Sequence, residues 1–340
     1  MRRWIWALVL GLASSTAASA DPVADFYRGK QIRILVGSAA GGGYDLYARA
    51  LGRVLGRHIP GQPNVMVQNQ PGAASMIMVN QLYNGGPFDG TVIGASTNGV
   101  PTAPMLQSGA KFDPTKLNWL GSITREAFVA YVWHTSPITH INDLKSKELL
   151  VGATTVGTTM VDYPLLLNDI LGFKFKIVRG YKGPPEINLA IERGEIQGNA
   201  GVGYSVIKSL SQSWLDEKRI RILVQYNLEG VKELQGVPLA TDLAKTDEER
   251  EAMRLLFSRS EFSRPFFAPQ DVPEERVAAL RKAFDSAISD PDFLAEADRL
   301  KLDVDPMSGI ALQALVSALA KTSPNVVERV KAALGSPQDK

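Results

Sequence analysis

The chain has 340 residues, of which 45% are apolar and 21% charged, so it can bury a sizeable core and is not a disordered tail. Its formal net charge is +2 without any run of Lys and Arg, which argues against nucleic acid or anionic lipid as a partner. Cysteine is absent, which excludes disulfides, thiol catalysis, thiolate metal sites and a lipid-modified cysteine anchor.

The first twenty residues have the pattern of a signal peptide. Arg2 and Arg3 form a positive start, residues 4–12 are apolar, and small residues lead to an A-x-A pattern that ends at Ala20. The apolar stretch is shorter than the roughly 20 residues that a transmembrane helix needs. We therefore expect export to the periplasm with cleavage after Ala20. An uncleaved membrane anchor is the alternative interpretation.

Short β-rich runs alternate with amphipathic helical stretches from residue 31 onward. This pattern is typical of an α/β fold with parallel sheets covered on both faces. The periodicity predicts strands at residues 32–36, 65–67, 91–95, 128–133, 149–153, 173–178, 196–199 and 220–226. It predicts helices from Asp45 and over residues 75–83, 160–171, 185–193, 273–289, 292–300, 308–320 and 324–334.

The two sets of strands and helices are not separated by a flexible linker, which suggests two lobes that share a hinge. We expect the chain to cross between the lobes near Ile123 and again near Phe262. This places residues 21–123 and 262–340 in lobe one and residues 124–261 in lobe two.

The most informative segment is the glycine-rich turn of residues 37–45, between the first strand and the first long helix. Successive glycines leave backbone N–H groups unobstructed, and a helix start adds unpaired donors and a partial positive charge. The segment therefore predicts an anion site, with Asp45 as a helix-start residue rather than a ligand. A plain strand-to-helix turn is the alternative.

Three more polar loops follow predicted strands, at residues 69–75, 95–99 and 153–159. In open parallel sheets, ligands collect outside the carboxyl ends of the strands. Ordinary helix capping by Ser and Thr explains each loop taken alone. Four such loops at strand-to-helix junctions together favour a binding cleft.

Signals for an enzyme are weak. His58, His134 and His140 share no metal-ligand spacing and are expected to be surface or packing residues. The stretch around Ser96 resembles a nucleophile elbow but lacks its final glycine. No nucleotide-binding fingerprint is present, so we expect no cofactor, no metal and no catalytic residue. Arg179 and Lys182 could attract an anion, although solvated charges are the commoner case.

The order of several motifs resembles the receptors of tripartite tricarboxylate transporters, the Bug family. Residues 30–45 resemble the pattern K-x-I-R-[LI]-[IV]-V-x-x-A-x-G-G-x-x-D, and residues 69–73 resemble N-[RK]-P-G-A. Residues 89–91, 181–183 and 268–273 match the landmarks D-G-[YT], Y-K-G and A-P-x-x-x-P. No single motif is specific, but their order and spacing are, from about Phe26 to the C-terminus.

The resemblance implies a type II periplasmic-binding-protein fold, in which two hinged α/β lobes close on a carboxylate and present it to integral membrane transporter subunits. The chain is expected to act as a monomer. The positions carried over to the ligand are Ser38, Ala39, Ala40, Gly42, Gly43, Tyr44, Ala73, Ala74, Ser75, Ser96, Thr97, Asn98, Thr155, Gly157, Thr158, Thr159 and Asn199.

The chain also departs from the family pattern. Tyr44 replaces a common Thr, and Ala74-Ser75 replaces Gly-Gly. Asp162 stands where a histidine is frequent, and Gln197 replaces an acidic residue. These changes leave the carboxylate end intact, and which carboxylate is bound stays open, as does the role of Tyr44. A sensor that presents a carboxylate to a membrane kinase is an alternative function, and an exported hydrolase is a weaker one.

Overall fold

The computed structural model describes residues 21–335, so the predicted signal peptide of residues 1–20 and residues 336–340 lie outside the described part. The described strands are β1 (Gln31–Val36), β2 (Asn64–Asn69), β3 (Val92–Ala95), β4 (Asn118–Ser122), β5 (Phe128–Trp133), β6 (Leu149–Gly152), β7 (Phe175–Val178), β8 (Gly198–Gly203), β9 (Ile220–Gln225), β10 (Pro265–Ala268) and β11 (Met307–Ser308).

The α-helices are α1 (Pro22–Tyr27), α2 (Gly43–His58), α3 (Met76–Gly85), α4 (Ala103–Leu106), α5 (Thr159–Leu171), α6 (Pro184–Glu192), α7 (Tyr204–Asp216), α8 (Asp247–Phe257), α9 (Glu274–Ile288), α10 (Pro291–Arg299), α11 (Gly309–Leu319) and α12 (Pro324–Leu334). Short 3-10 turns occur between them, among them Ala73–Ser75 and Ser258–Ser260.

The strands form two mixed sheets. The first has the order β11-β4-β10-β3-β1-β2, and the second has the order β7-β6-β8-β5-β9. In the first sheet β1 runs parallel to β2 and β3, whereas β10 runs antiparallel to β3 and β4. In the second sheet β6 is parallel to β7 and β8, whereas β5 is antiparallel to β8 and β9. The α/β class is confirmed, and the sheets are mixed where the sequence pattern suggests parallel ones.

Each sheet is covered by helices on both faces. Successive side chains of a strand point to opposite sides, so one strand contributes to two different cores. In β1, Ile34 belongs to a core shared with α2 and α9, whereas Leu35 packs with α3 and α11. In β5, Ala130 belongs to a core shared with α5, α8 and α12, whereas Val129 and Tyr131 pack with α6 and α7. These four apolar layers hold the sheets without any disulfide.

Two connections join the sheets. Residues 123–127 lead from β4 into β5, and residues 258–264 lead from the end of α8 back into β10. The connections lie side by side, since the Ser263 amide donates to the Thr124 carbonyl over 3.1 Å. The predicted crossing points Ile123 and Phe262 lie within these two connections. Their action as a hinge stays a prediction.

The last helix does not follow the predicted division. The sequence assigns residues 262–340 to lobe one, but Val326, Val330 and Ala333 of α12 are buried in the core of the second sheet. These three residues form the apolar face of α12, and this face packs against α5 and α8. The end of the chain therefore links the two halves a third time.

Several strands and helices of the structure lack the hydrophobic periodicity on which the prediction was based. The strand expected at residues 196–199 is β8, which is shifted toward Gly203 and rich in glycine. The prediction also missed β4, β10 and β11, along with α7 and α8. No helix within residues 21–335 has the combined length and apolarity needed to cross a bilayer.

Close packing between β3 and β10 generates a stability prediction. A methyl group added at Gly94 would lie 2.3 Å from the Phe267 ring, which is fully buried. We expect Gly94→Ala to lower the free energy of unfolding by about 1–3 kcal/mol, because the overpacked core must shift. The measurement is urea denaturation followed by circular dichroism.

The matched control is Gly85→Ala at the end of α3, where an added methyl group meets no atom within 4 Å. This variant should keep or slightly raise stability, because alanine favours a helix. Equal stability of the Gly94→Ala protein and the wild type would contradict the packing described here.

Candidate functional site

A cavity of about 830 Å³ lies between the two sheets. Loops after β1, β2 and β3 line it from one side, and the loop after β6 lines it from the other. Most of the predicted ligand positions border this cavity. They are Ser38, Ala39, Ala40, Gly42, Gly43, Tyr44, Ala73, Ala74, Thr97, Asn98, Thr155, Thr158 and Thr159.

Asp45 holds the loop after β1 in shape. Its carboxylate accepts the Gly41 amide over 2.9 Å, the Arg49 guanidinium over 3.0 Å and the Asn69 side-chain amide over 2.8 Å. Asn69 also donates to the Ser38 carbonyl. Burial raises the pKa of Asp45, but these three donors outweigh it and hold the pKa below its ordinary value. Asp45 is therefore a structural residue, and the Gly41 amide is not free for a ligand.

The amides that remain available lie on either side of Gly41. Those of Ser38, Ala39, Ala40 and Gly42 make no hydrogen bond to another described residue. The loop leads into the first turn of α2, whose amino end carries unpaired donors and a partial positive charge. This half of the cavity can therefore stabilise an anion through the backbone alone.

The loop after β2 is held in an uncommon conformation. Ala73, Ala74 and Ser75 all have positive φ angles, of 45°, 51° and 75°. The Ser75 hydroxyl donates to the Gly37 carbonyl over 3.0 Å and accepts the Thr97 amide over 2.9 Å. The Thr97 hydroxyl in turn donates to the Ala74 carbonyl. These bonds join the three first-lobe loops into one unit.

Tyr44 organises the loop after β3. Its phenol donates to the Asn98 side-chain oxygen over 3.0 Å and accepts the Asn98 amide over 3.2 Å. Burial raises the pKa of Tyr44, so the phenol keeps its proton and can donate. The Asn98 side chain also donates to the Arg259 carbonyl. Tyr44 thus lines the cavity with its ring while its hydroxyl is engaged with protein.

The second lobe contributes a loop built in the same way. The Gly157 amide donates to Asp162 in the first turn of α5 over 3.0 Å, and Thr158 stands at the N-cap position of that helix without a capping side-chain hydrogen bond. Asp162 also pairs with Arg259 over 2.6 Å, and both side chains are buried. Arg259 reaches across to the Thr102 hydroxyl of the first lobe. The amino ends of α2 and α5 therefore face one cavity from two lobes.

A second buried ion pair lies between the two connections. Arg264 donates to Glu126 over 2.8 Å, and Glu126 also accepts the Ser205 amide over 3.0 Å. The guanidinium lies over the rings of Tyr44 and Tyr47, 4.8 and 5.0 Å from their centroids. Arg264 borders the cavity, but its charge is balanced by Glu126.

Four predicted ligand positions do not border the cavity. Ser75 is fully buried, and its hydroxyl bonds to the loops after β1 and β3. The Gly157 amide donates to Asp162. Asn199 lies behind Met160, to whose sulfur it donates. Ser96 is buried, and its hydroxyl has no partner among the described residues.

The prediction missed Arg264 and most of the second-lobe wall. Arg264 directly precedes the returning strand β10, which the periodicity did not reveal. The second-lobe wall comes from the ends of β5 and β8 and from residues 180–189. Of these, only the Y-K-G landmark at residues 181–183 gave a sequence signal.

The described histidines have structural partners. His58 lies 2.6 Å from Asp290, His140 caps a 3-10 turn, and the His134 ring packs against Trp133. The buried Ser96 hydroxyl makes no hydrogen bond to a base within residues 21–335. Those residues also contain no group of three or more His, Asp or Glu side chains placed to hold a metal ion.

Comparisons with known proteins agree with the architecture. No protein-family model matches the chain. The "UPF0065 protein in gbd 5'region" of Cupriavidus necator is 24% identical over 312 residues, which cover 87% of each chain. The periplasmic binding protein BugD has a TM-score of 0.69 at 20% identity and covers 90% of this chain and 98% of its own. MatC of Rhodopseudomonas palustris, solved with bound malate, has a TM-score of 0.68 at 18% identity, with 90% and 99% covered.

The protein thus has the two-lobed α/β fold of periplasmic solute-binding proteins, as the sequence predicts. The resemblance to the Bug receptors is confirmed in the fold, which the chain shares with BugD.

The lowered pKa of Asp45 generates a pH prediction. A carboxylate with a depressed pKa stabilises the fold above its unfolded pKa, ordinarily 3.8, and loses this contribution as the pH falls through its folded pKa. We expect Asp45→Asn to be less stable than wild type at pH 7. The difference in unfolding free energy should shrink below pH 3.8. Urea titrations from pH 7 to pH 2 measure it, and a difference independent of pH would contradict this role.

The loop unit generates a second prediction. Ser75→Ala leaves the buried Gly37 carbonyl and Thr97 amide without the Ser75 hydroxyl, which should cost about 1–3 kcal/mol of unfolding free energy. The control Ser289→Ala removes an exposed hydroxyl that bonds only within its own turn, and it should change stability little. Equal losses in the two variants would refute the joining role of Ser75.

Proposed function

We propose that this chain is a periplasmic receptor of the Bug family that captures a small organic acid between its lobes and delivers it to a tripartite tricarboxylate-type transporter in the membrane. The observation that carries the proposal is the convergence of two helix amino ends on one interlobe cavity. Partial positive charge at two helix ends favours an anionic guest.

The first-lobe half of the cavity suits a carboxylate. Ser38, Ala39 and Ala40 offer free amides at one end, and the first-lobe loops are held rigid by Ser75 and Asp45. The shielded Ser38 hydroxyl has no partner among the described residues, which leaves further hydrogen-bonding capacity beside the amides. The guest is held by backbone donors and neutral hydroxyls rather than by a cage of charged side chains.

Closure of the lobes follows from the placement of the contacts. Only a guest that touches the α2 and α5 ends together gains from both lobes, so binding selects the closed form. The adjacent connections at residues 123–127 and 258–264 serve as the hinge. The carried-over positions that border the cavity act in this closed state.

The similar proteins support the remaining parts of the proposal. BugD is a periplasmic binding protein, and MatC was solved with malate, a carboxylate. We further propose that the chain is exported with cleavage after Ala20, acts as a monomer and has no catalytic turnover of its own. Export and transfer to membrane subunits rest on this likeness together with the signal-peptide pattern.

A matched pair of variants tests the carboxylate site. Ala40 is exposed and borders the cavity, so changes there should leave folding intact. Ala40→Asp places a carboxylate at the anion site and should weaken binding of organic acids at least about tenfold, because like charges repel. Ala40→Asn has nearly the same size without the charge and should bind within a few-fold of wild type.

The measurement is isothermal titration calorimetry of the purified protein with a panel of organic acids. Acid binding that is equally strong in the Asp and Asn variants would show that the carboxylate lies elsewhere. Binding of sugars or cations in place of acids would overturn the proposed function.

A further inference from the structure

The second-lobe wall of the cavity differs in character from the loops that face it. The loop after β6 and the start of α5 contribute four threonines, and Lys182 and Glu186 lie at the rim. The remaining larger side chains are apolar or aromatic, and they come from β5, α5, the turn before α6, α6, β8 and α7. We call this wall the apolar wall and define it as Phe128, Met160, Tyr181, Leu189, Val202 and Val206. Leu189 is 51% exposed at the rim, whereas Val202 and Val206 are 4% and 9% exposed.

Charge is scarce along this half of the cavity. Among the described residues that line it, the basic side chains are Arg264 and Lys182, and the acidic one is Glu186. Arg264 is already paired with Glu126. Lys182 and Glu186 are both exposed at the rim and opposite in charge, and the Lys182 amide donates to the Glu186 carboxylate over 2.6 Å.

These observations bear on the end of the guest that does not touch the glycine-rich loop. A second carboxylate against the apolar wall would lose its water without gaining a buried cation, which is costly. A hydrocarbon chain or an aromatic ring there would gain roughly 25 cal/mol for each Å² removed from water. The cavity of about 830 Å³ has room for such a body beside a carboxylate.

We propose that the guest is a monocarboxylate with an apolar body, aliphatic or aromatic, whose carboxylate lies at the free amides of residues 38–40 and whose body lies against the apolar wall. This inference rests on the proposed function, since it assumes the carboxylate end. It adds the chemical class of the opposite end.

Two matched panels test the inference by calorimetry. The first contains straight-chain and phenyl-substituted monocarboxylates with four to ten carbons, and the second contains the corresponding dicarboxylates. Hexanoate and adipate form one such pair, because they differ only in the terminal group. A second carboxylate against the apolar wall loses its hydration with no buried cation in return, so we expect each monocarboxylate of six or more carbons to bind at least about tenfold tighter than its diacid.

The outcomes separate the inference from the function. Dicarboxylates that bind as tightly as or tighter than their partners overturn the inference and leave the carboxylate receptor standing. Hexanamide tests the other end, because it keeps the body and lacks the charge, and it should not bind. Binding of neutral amides, or of no acid in either panel, overturns the proposed function itself.

A variant at the rim gives an independent test. Leu189→Arg places a cation on the apolar wall at an exposed position, so folding should be preserved. Hexanoate should bind at least about tenfold weaker and adipate tighter, because the arginine supplies a partner for the second carboxylate. General damage to the site would weaken both acids together.

The matched control is Leu294→Arg on α10, where a leucine is 43% exposed and does not line the cavity. It should leave both affinities unchanged. Leu189→Arg affinities equal to those of wild type for both acids would show that the guest does not reach the apolar wall, which overturns the inference.

Discussion

The hydrogen bond between a glycine amide and an aspartate at the start of the next helix is the constraint on which the site depends. Gly41 donates to Asp45 in one lobe, and Gly157 donates to Asp162 in the other. Both glycines have positive φ angles, of 80° and 85°, which other residues adopt at a cost. Each bond curls the preceding loop back over the helix end, so the neighbouring groups face the cavity. Without it, a glycine-rich turn would be free to adopt many shapes.

Each of these aspartates is also paired with an arginine, but with different consequences. Arg49 is 44% exposed and supports Asp45 within its own helix. Arg259 is fully buried and lies in the connection between the sheets, so its pair with Asp162 ties the second-lobe loop to the route that the chain takes between the lobes. The pair between Arg264 and Glu126 links the two connections directly. Two buried ion pairs therefore link the loops that line the cavity to the two connections between the sheets.

The sequence predicted best those parts that depend on local pattern. The run of residues 32–36 and the glycines after it placed the first loop correctly, because strand alternation and glycine freedom act over a few residues. The role of Asp45 as a structural residue at a helix start was also anticipated. Ser75 and Asn199 were predicted to contact the ligand. The local sequence does not show whether a hydroxyl or amide group lies beneath a loop or on the surface of the cavity.

The missing pieces depend on contacts distant in sequence. Arg264 meets Glu126 where the chain returns to the first sheet, and α12 packs with α5 and α8 in the second core. Gln197, which replaces an acidic residue of the family pattern, accepts the Leu150 amide within the second sheet. The apolar wall is assembled from several separate segments, none of which stands out alone.

The most direct test of the account is a crystal structure of the protein with the organic acid that it binds most tightly. We predict a carboxylate oxygen about 2.7–3.2 Å from an amide of residues 38–40, or one bridging water away, with the amino end of α5 closed over it. A carboxylate bound instead at Lys182 on the rim, with the loop after β1 empty, would contradict the account.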